Sequence, residues 1–350
     1  MKNFFNWLKY RIKFYAPTYL WDILSKRAEL IMRRKYSQKF KCYGNKNPDL
    51  TFFVIRKKPP GAGFFANFFY VVRGLIYAEK HGYIPVVDME NYWMEEVNEI
   101  RKINETKNAW CYFFNQVSKF SLAEVYQSKN VILSDGFEIL DTDHYLRNKS
   151  TEIFMSRDKL KQVGRVIDKY ITINFTTKQY LETKKIDLNW DPRKTLGIFV
   201  RGGAYNEHSE AKAWVNHPKF SDILQQAFEI LHDKKIKKIF ICTEDFRIYQ
   251  DLKTELKDFE IIPSLRYGKN LTIESWLSSQ KLRTKGGDNG INLGYEKTLA
   301  YLSEIILLSE CESLIVTPNN PSVYALAMCN LDTGDHRVVM NSSISRLNPN

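Results

Sequence analysis

Apolar residues recur along this chain at two spacings, one suited to strands and one to helices, and their order predicts its architecture. TFFVI at 51–55 is a short apolar run of the kind a buried strand needs, followed by a Pro/Gly loop and a long apolar, helix-like segment to Lys80. YIPVVDM predicts a second strand and Val131 to Leu133 another, while Asp158 to Thr183 has helical spacing with charges on one face. Between Asp187 and Lys194, around Pro192, the composition turns polar, and a domain boundary is expected there.

The C-terminal half alternates more regularly. TLGIFV (195–200) predicts a strand, Phe220 to His232 a helix, KIFICT (238–243) a strand, Asp245 to Leu256 a helix and FEIIP a strand. Past a Gly-rich loop come a helix at Glu296 to Ser309, the strand SLIVT (313–317) and a helix after Pro321. Strands alternating with helices of this length build right-handed βαβ units on a parallel sheet. The expected fold is α/β: two Rossmann-like domains over 46–190 and 191–350, behind a helical, basic and aromatic N-terminal segment over 1–45.

Composition narrows the class. The chain has 350 residues, 44% hydrophobic, 14% aromatic and 26% charged, which excludes bulk disorder and collagen-like sequence. No apolar run approaches the roughly 18–20 residues a bilayer span needs, and the N-terminus lacks a clean apolar core and cleavage site, so neither an integral nor a secreted protein is expected. Cys42, Cys111, Cys242, Cys311 and Cys329 are an odd number without metal-ligand spacing, which fits a reducing compartment. Asn-x-Ser/Thr triplets at Asn148, Asn174 and Asn270 are discounted, because glycosylation needs a secretory route.

The net charge of +12 is unevenly placed: in residues 1–41 Lys and Arg outnumber Asp and Glu eleven to two, and the rest is near balance. That argues against a basic groove for nucleic acid. The same segment interleaves Phe4, Phe5, Trp7, Tyr10, Phe14, Tyr15, Tyr19 and Trp21 with its cations, the mixture an interfacial helix presents to anionic lipid. Packing of those rings on the protein's own core is the competing account.

In open parallel sheets ligands bind outside the carboxyl ends of the strands. TLGIFV runs into Arg201-Gly202-Gly203-Ala204-Tyr205, a cation and two glycines at a turn, which suits close approach to a phosphate. KIFICT ends in Thr243-Glu244-Asp245, and SLIVT ends in Thr317-Pro318-Asn319-Asn320-Pro321-Ser322 before a helix whose N-terminus favours an anion. In the N-terminal half Gly61-Ala62-Gly63-Phe64-Phe65-Ala66-Asn67 is a similar turn. Each also has a plain structural account as a tight turn or helix cap. Neither GxxxxGK[ST] nor GxGxxG occurs, so NTPase and dinucleotide-oxidoreductase fingerprints are absent, and GGDNG at 286–290 is only a loop signal.

Taken in order, these segments resemble the superfamily of GDP-fucose-dependent fucosyltransferases that includes the α-1,2, the α-1,6 and the protein O-fucosyltransferases, over about residues 50–330. GAGFFAN followed by GLIYAEKHGYIPVVD is similar to the family's N-terminal loop, helix and strand, and GIFVRGGAY to its arginine motif. FICTEDFRIYQDLK resembles the second motif, and SEIILLSECESLIVTPNNPSVYALA the third. The resemblance implies a GT-B-like fold and an inverting, metal-independent transfer from a GDP-sugar held by the C-terminal half. It puts Arg201 on the arginine that stabilises departing GDP, worth roughly 3–4 kcal/mol in the barrier by analogy with oxyanion-hole losses. It likewise makes Asn67, Gly61, Gly63, Gly202, Thr243, Glu244, Asp245, Thr317, Asn319, Asn320 and Ser322 donor-binding. The family's histidine is Phe199 here, its second arginine Gly202 and its aspartate Ala204. For the base that accepts the acceptor's proton, Glu207, His208 and Glu210 follow the arginine motif and Asp88 follows YIPVV; spacing does not choose among them.

The expected function is therefore transfer of fucose or a related sugar from a GDP-sugar to a hydroxyl of a bacterial surface glycan, with no metal and no cofactor besides the donor. Expected partners are the nucleotide sugar, a glycan or lipid-linked glycan acceptor, and an anionic membrane surface through residues 1–41, with no nucleic acid. The Lys-, Asn- and Ile-rich composition suits a bacterial source, and the expected location is cytoplasmic, peripheral at the inner membrane face. A non-catalytic nucleotide-sugar or glycan-binding protein, or a basic membrane-surface or nucleic-acid adaptor that reuses the fold, are the alternatives.

Overall fold

The computed structural model describes residues 39–56, 63–90, 103, 105–134, 151–201, 218–266, 293–340 and 343–347. The helix expected within residues 1–38 lies outside them. The last residues of that basic segment, Lys39–Lys41, form a strand rather than a helix, because their backbone pairs antiparallel with Val131–Leu133.

The first sheet holds β1 (Lys39–Lys41), β2 (Lys46–Ile55), β3 (Ile84–Val87) and β4 (Ser128–Leu133) in the order β1-β4-β2-β3. β2 is parallel to both neighbours. Its alternating side chains serve two cores: Phe53 and Ile55 face α1 (Phe64–Lys80), while Phe52 and Val54 join Val86, Val131 and Leu133 against Val125 of the short α2 (Leu122–Val125). Helix α1 is apolar on most of its circumference and correspondingly buried on most sides.

The second sheet holds β5 (Thr195–Val200), β6 (Lys238–Thr243), β7 (Glu260–Ile262), β8 (Ser313–Val316), β9 (His336–Met340) and β10 (Ser343–Arg346), ordered β10-β9-β8-β5-β6-β7. All pairs are parallel except β9 and β10. The helices α5 (Phe220–Asp233) and α6 (Phe246–Glu255) cover the face bearing Leu196, Ile198 and Val200. The helices α7 (Leu293–Glu310) and α8 (Asn320–Met328) cover the other, which bears Phe199, Phe240 and Cys242. From β5 the chain steps to β6 and β7 on one side, then returns to β8 and β9 on the other. The strand order therefore reverses between β5 and β8. Two α/β sheets, with helices on both faces of the second, match the expected fold class, and the strands and helices predicted from 195 onward all form.

Between the sheets the helical stretch expected from Asp158 to Thr183 is two helices, α3 (Arg157–Tyr170) and α4 (Phe175–Asp187). The β-branched run Ile171-Thr172-Ile173 turns extended, Ile173 bridges Phe114, and Asn174 caps α4 while donating to the Cys111 carbonyl (3.0 Å). Those long-range bonds outweigh the local helical preference. Helix α3 packs on α8 and α1, and α4 on α7. Lys185 and the Trp190 indole both bond Glu310 (2.7 and 2.8 Å), and Trp190 packs on Phe240. A single apolar core thus runs from α1 through α3 to α7, α8 and the second sheet.

Gly164 is the closest point of the α3–α8 crossing: a Cβ there would lie 2.3 Å from the Ala327 carbonyl oxygen. Alanine is the better helix former by about 1 kcal/mol, yet Gly164→Ala is expected to lower stability by about 1–3 kcal/mol, because backbone cannot yield as a flexible side chain can. A lower urea midpoint at unchanged slope would bear this out, and an unchanged or raised midpoint would refute it.

Candidate functional site

A reversal of strand order leaves a crevice outside the carboxyl ends of the two strands concerned, since the loops leaving them diverge to opposite faces. Here those strands are β5 and β8. Arg201 leaves β5 at that point, and its backbone N–H donates to the Thr317 hydroxyl (3.0 Å), while the Thr317 N–H donates to the Phe199 carbonyl (3.0 Å). The Arg201 side chain is exposed and makes no ion pair with any described residue.

The turn from β8 into α8 is closed on itself. Asn319 accepts from the Ser322 N–H (2.9 Å) and donates to the Thr317 carbonyl (2.8 Å), and the Ser322 hydroxyl donates to the same carbonyl (2.7 Å). Thr317 and Ser322 are buried, and Asn320, the first residue of α8, is half-buried. The cap chemistry expected of Asn-Asn-Pro-Ser is present, and these side chains hold the wall of the crevice rigid.

The β5–β6 register pairs Val200 with Thr243, so Arg201 and Glu244 are the next residues beyond the ladder on adjacent strands, about 4.8 Å apart in strand spacing. The acidic pair divides. Asp245 is 3% exposed, caps α6 and is bound through both oxygens by Arg247, on the α5–α6 side, where a cleft of about 270 Å³ is lined by Phe220, Asp245, Arg247, Ile248 and Asp251. Thr243 is fully buried and accepts from the Asp245 N–H (3.2 Å). Glu244 is exposed on the α7 side and accepts from the Tyr301 hydroxyl (3.2 Å). Strand alternation sends consecutive residues to opposite faces.

Behind Tyr301 lies a charged cluster not singled out in the sequence. Glu304, one helical turn on, is fully buried and accepts from the Ser264 hydroxyl (2.5 Å), the Leu265 N–H (2.8 Å) and the Arg266 N–H (3.2 Å), and its carboxylate pairs with the Arg266 Nε. The Arg266 guanidinium lies 4.5 Å over the Tyr301 ring, which packs T-shaped with Phe65 of α1 (centroids 5.3 Å apart). The one available signal was an acidic residue inside the apolar helix SEIILLS. Its partner at the end of β7 is a contact of the fold and has no local signature.

In the N-terminal half, Gly63 is the exposed cap of α1 with an ordinary φ of −57°, and a Cβ there would meet nothing within 4 Å. Asn67 is 2% exposed and lines a small apolar hollow with Phe64, Phe68, Met89, Trp110 and Phe114, whereas Phe65 and Phe68 reach Tyr324 of α8. Asp88 is 3% exposed, accepts from the Tyr126 hydroxyl and the Glu90 N–H (3.0 Å), and lies on the α2 side of its sheet. Burial and then Asp88 itself push the Tyr126 phenol up. Gly61, Gly202, Glu207, His208 and Glu210 lie outside the described residues. No group of three or more metal-ligating side chains occurs among the described residues, and no described helix is long and apolar enough to cross a membrane.

No family model matches the sequence, and no curated protein does. Solved structures do match. The NodZ α-1,6-fucosyltransferase soaked with GDP-fucose is 15% identical with a TM-score of 0.47, over 86% of this chain and 100% of its own; NodZ has also been solved from Bradyrhizobium. A point mutant of Arabidopsis thaliana FUT1 in complex with GDP is 10% identical with a TM-score of 0.44, over 88% of this chain and 77% of its own. POFUT1 in complex with GDP-fucose is 9% identical with a TM-score of 0.40, over 81% of this chain and 94% of its own.

The two strand-end arginines should behave oppositely on mutation. Arg266→Met leaves the Glu304 carboxylate buried without its counter-ion and is expected to cost about 3–5 kcal/mol, whereas Arg201→Met should change stability by no more than about 0.5 kcal/mol. Chemical denaturation of the full chain measures both; equal losses would mean that Arg201 is structural.

Proposed function

We propose that this chain is an inverting, metal-independent glycosyltransferase that moves fucose or a related sugar from a GDP-sugar to a hydroxyl of a surface-glycan acceptor. The observation that carries the reading is Arg201: an exposed guanidinium without an ion pair among the described residues, at the point where strand order reverses and on the motif GIFVRGGAY that resembles the family's arginine motif.

In this reading the acceptor oxygen bonds to the anomeric carbon as the bond from that carbon to the diphosphate breaks. GDP departs with the electron pair, and the acceptor's proton passes to a base drawn from Glu207, His208 and Glu210. Negative charge grows on the leaving diphosphate, and a guanidinium already in place stabilises it more in the transition state than in the ground state. The Thr317 hydroxyl supports this by fixing the backbone from which Arg201 projects, and the N-terminus of α8 adds positive potential nearby. The Tyr126 bond and the orientation of Asp88 favour the loop candidates over Asp88 as the base.

One observation favours the second reading, a non-catalytic nucleotide-sugar or glycan-binding protein. Phe199, where the resemblance implies histidine, is fully buried in the core, so any base recognition must come from elsewhere. We also propose that the basic aromatic segment 1–41 brings the enzyme to an anionic membrane face. Its described end carries Phe40, 74% exposed on edge strand β1 between two exposed lysines. Co-sedimentation with phosphatidylserine vesicles that weakens as salt rises is the expected result, and no co-sedimentation at low salt would exclude it.

GDP at a hundredfold excess over its Kd should add about 2.7 kcal/mol to stability, and UDP, ADP and CMP clearly less. Arg201→Ala should abolish most of that gain and lower transfer from GDP-fucose by about 10²–10³-fold. A wild-type protein that GDP stabilises but that transfers no sugar would favour the binding protein, and indifference to every nucleotide would remove both readings.

A further inference from the structure

We propose that Tyr301 is a positioning residue which aims the Glu244 carboxylate at the vicinal diol of the donor's ribose; the assignment rests on the donor reading above. Arg201 and Glu244 follow directly paired residues on neighbouring strands and carry opposite charge, yet neither forms an ion pair with a described residue. Glu244 instead accepts a hydrogen bond from Tyr301, whose ring lies under the Arg266 guanidinium and packs T-shaped with Phe65. Arg266 is in turn fixed by the buried Glu304. A carboxylate at a strand end is thus oriented by a phenol that a buried ion pair and an aromatic contact keep in place.

The chemistry follows from counting donors and acceptors. An ionised carboxylate has about four lone-pair sites and no donor. One, on Oε1, is taken by the Tyr301 hydroxyl, and Oε2, which has no hydrogen bond to a described residue, is left to accept from a pair of O–H donors set side by side, as in a ribose diol. Position agrees with this. With the diphosphate against Arg201, the ribose is the next group along the ligand, and the strands within its reach on either side of β5 are β6 and β8. On the β8 side the Thr317, Asn319 and Ser322 groups are engaged with one another. On the β6 side the exposed group is Glu244. The same chain of contacts joins the donor carboxylate to α1 of the N-terminal half through Phe65.

Calorimetric titration of the full-length protein with GDP and with 2′-deoxy-GDP tests this, using wild type, Tyr301→Phe and Glu244→Gln. Wild type should prefer GDP by at least tenfold. Tyr301→Phe, which keeps the ring and its packing, should bring the two ligands within about threefold by weakening GDP alone, and Glu244→Gln should do the same. If Tyr301→Phe weakens both ligands equally, or neither, Tyr301 is merely structural and the assignment falls while the donor reading stands. If the wild-type protein binds no nucleotide, both fall together. Should UDP bind in place of GDP, the same ratios measured with UDP and 2′-deoxy-UDP decide the assignment in the same way, because the diol is common to ribonucleotides.

Discussion

A parallel sheet must be covered on both faces, and here that requirement forces the chain to reverse direction between β5 and β8. Helices α5 and α6 close one face as the chain moves outward to β7, and only the return past β5 lets α7 and α8 close the other. The reversal opens the crevice, and the reciprocal bonds between Thr317 and the β5 end keep its two walls in register. Arg201 is placed by that pairing, and its side chain makes no ion pair with a described residue.

Around the crevice, charged residues of the same type have unlike roles according to burial. Arg266 and Glu304 are a desolvated pair whose value lies in orientation: removing one partner strands the other, while together they hold the end of β7 and the Tyr301 ring. Asp245 is engaged by its helix and by Arg247. Arg201 and Glu244 remain exposed on neighbouring strands, one suited to phosphate and the other to hydroxyls. A bonded layer of Thr317, Asn319, Ser322 and the Arg266–Glu304 pair beneath two exposed charges is the kind of arrangement a preorganised site requires, since those groups are already held before binding.

The N-terminal half is more than an attached neighbour. Helix α3 approaches α8 closely enough to require Gly164, and α4 is tied to α7 through Lys185 and Trp190. Phe65 then carries α1 against Tyr301 and Tyr324, so that helix rests on the two helices that border the crevice. Through Tyr301, which bonds Glu244, the packed core is continuous from the start of α1 to the end of β6.

The sequence by itself determined which segments become strands and helices from 195 onward, because those periodicities reflect burial of whole faces and survive without knowledge of the neighbours. It also determined the chemistry of the strand ends: Arg201, the acidic pair after KIFICT and the capping turn before α8 were all readable locally. Tertiary structure decided what each of them does. Glu244 and Asp245 are adjacent and chemically alike, and only the alternation at the end of β6, with α7 on one side and α6 on the other, separates an open carboxylate from a cap. The break between α3 and α4 depends on Phe114 and Cys111, some sixty residues away. Arg266, Tyr301 and Glu304 lie on two elements joined across residues 267–292, and Asn67 turned out to face an apolar hollow. Local patterns encode how much of an element is buried, whereas the partner of each polar group is set by which strands and helices the fold brings side by side.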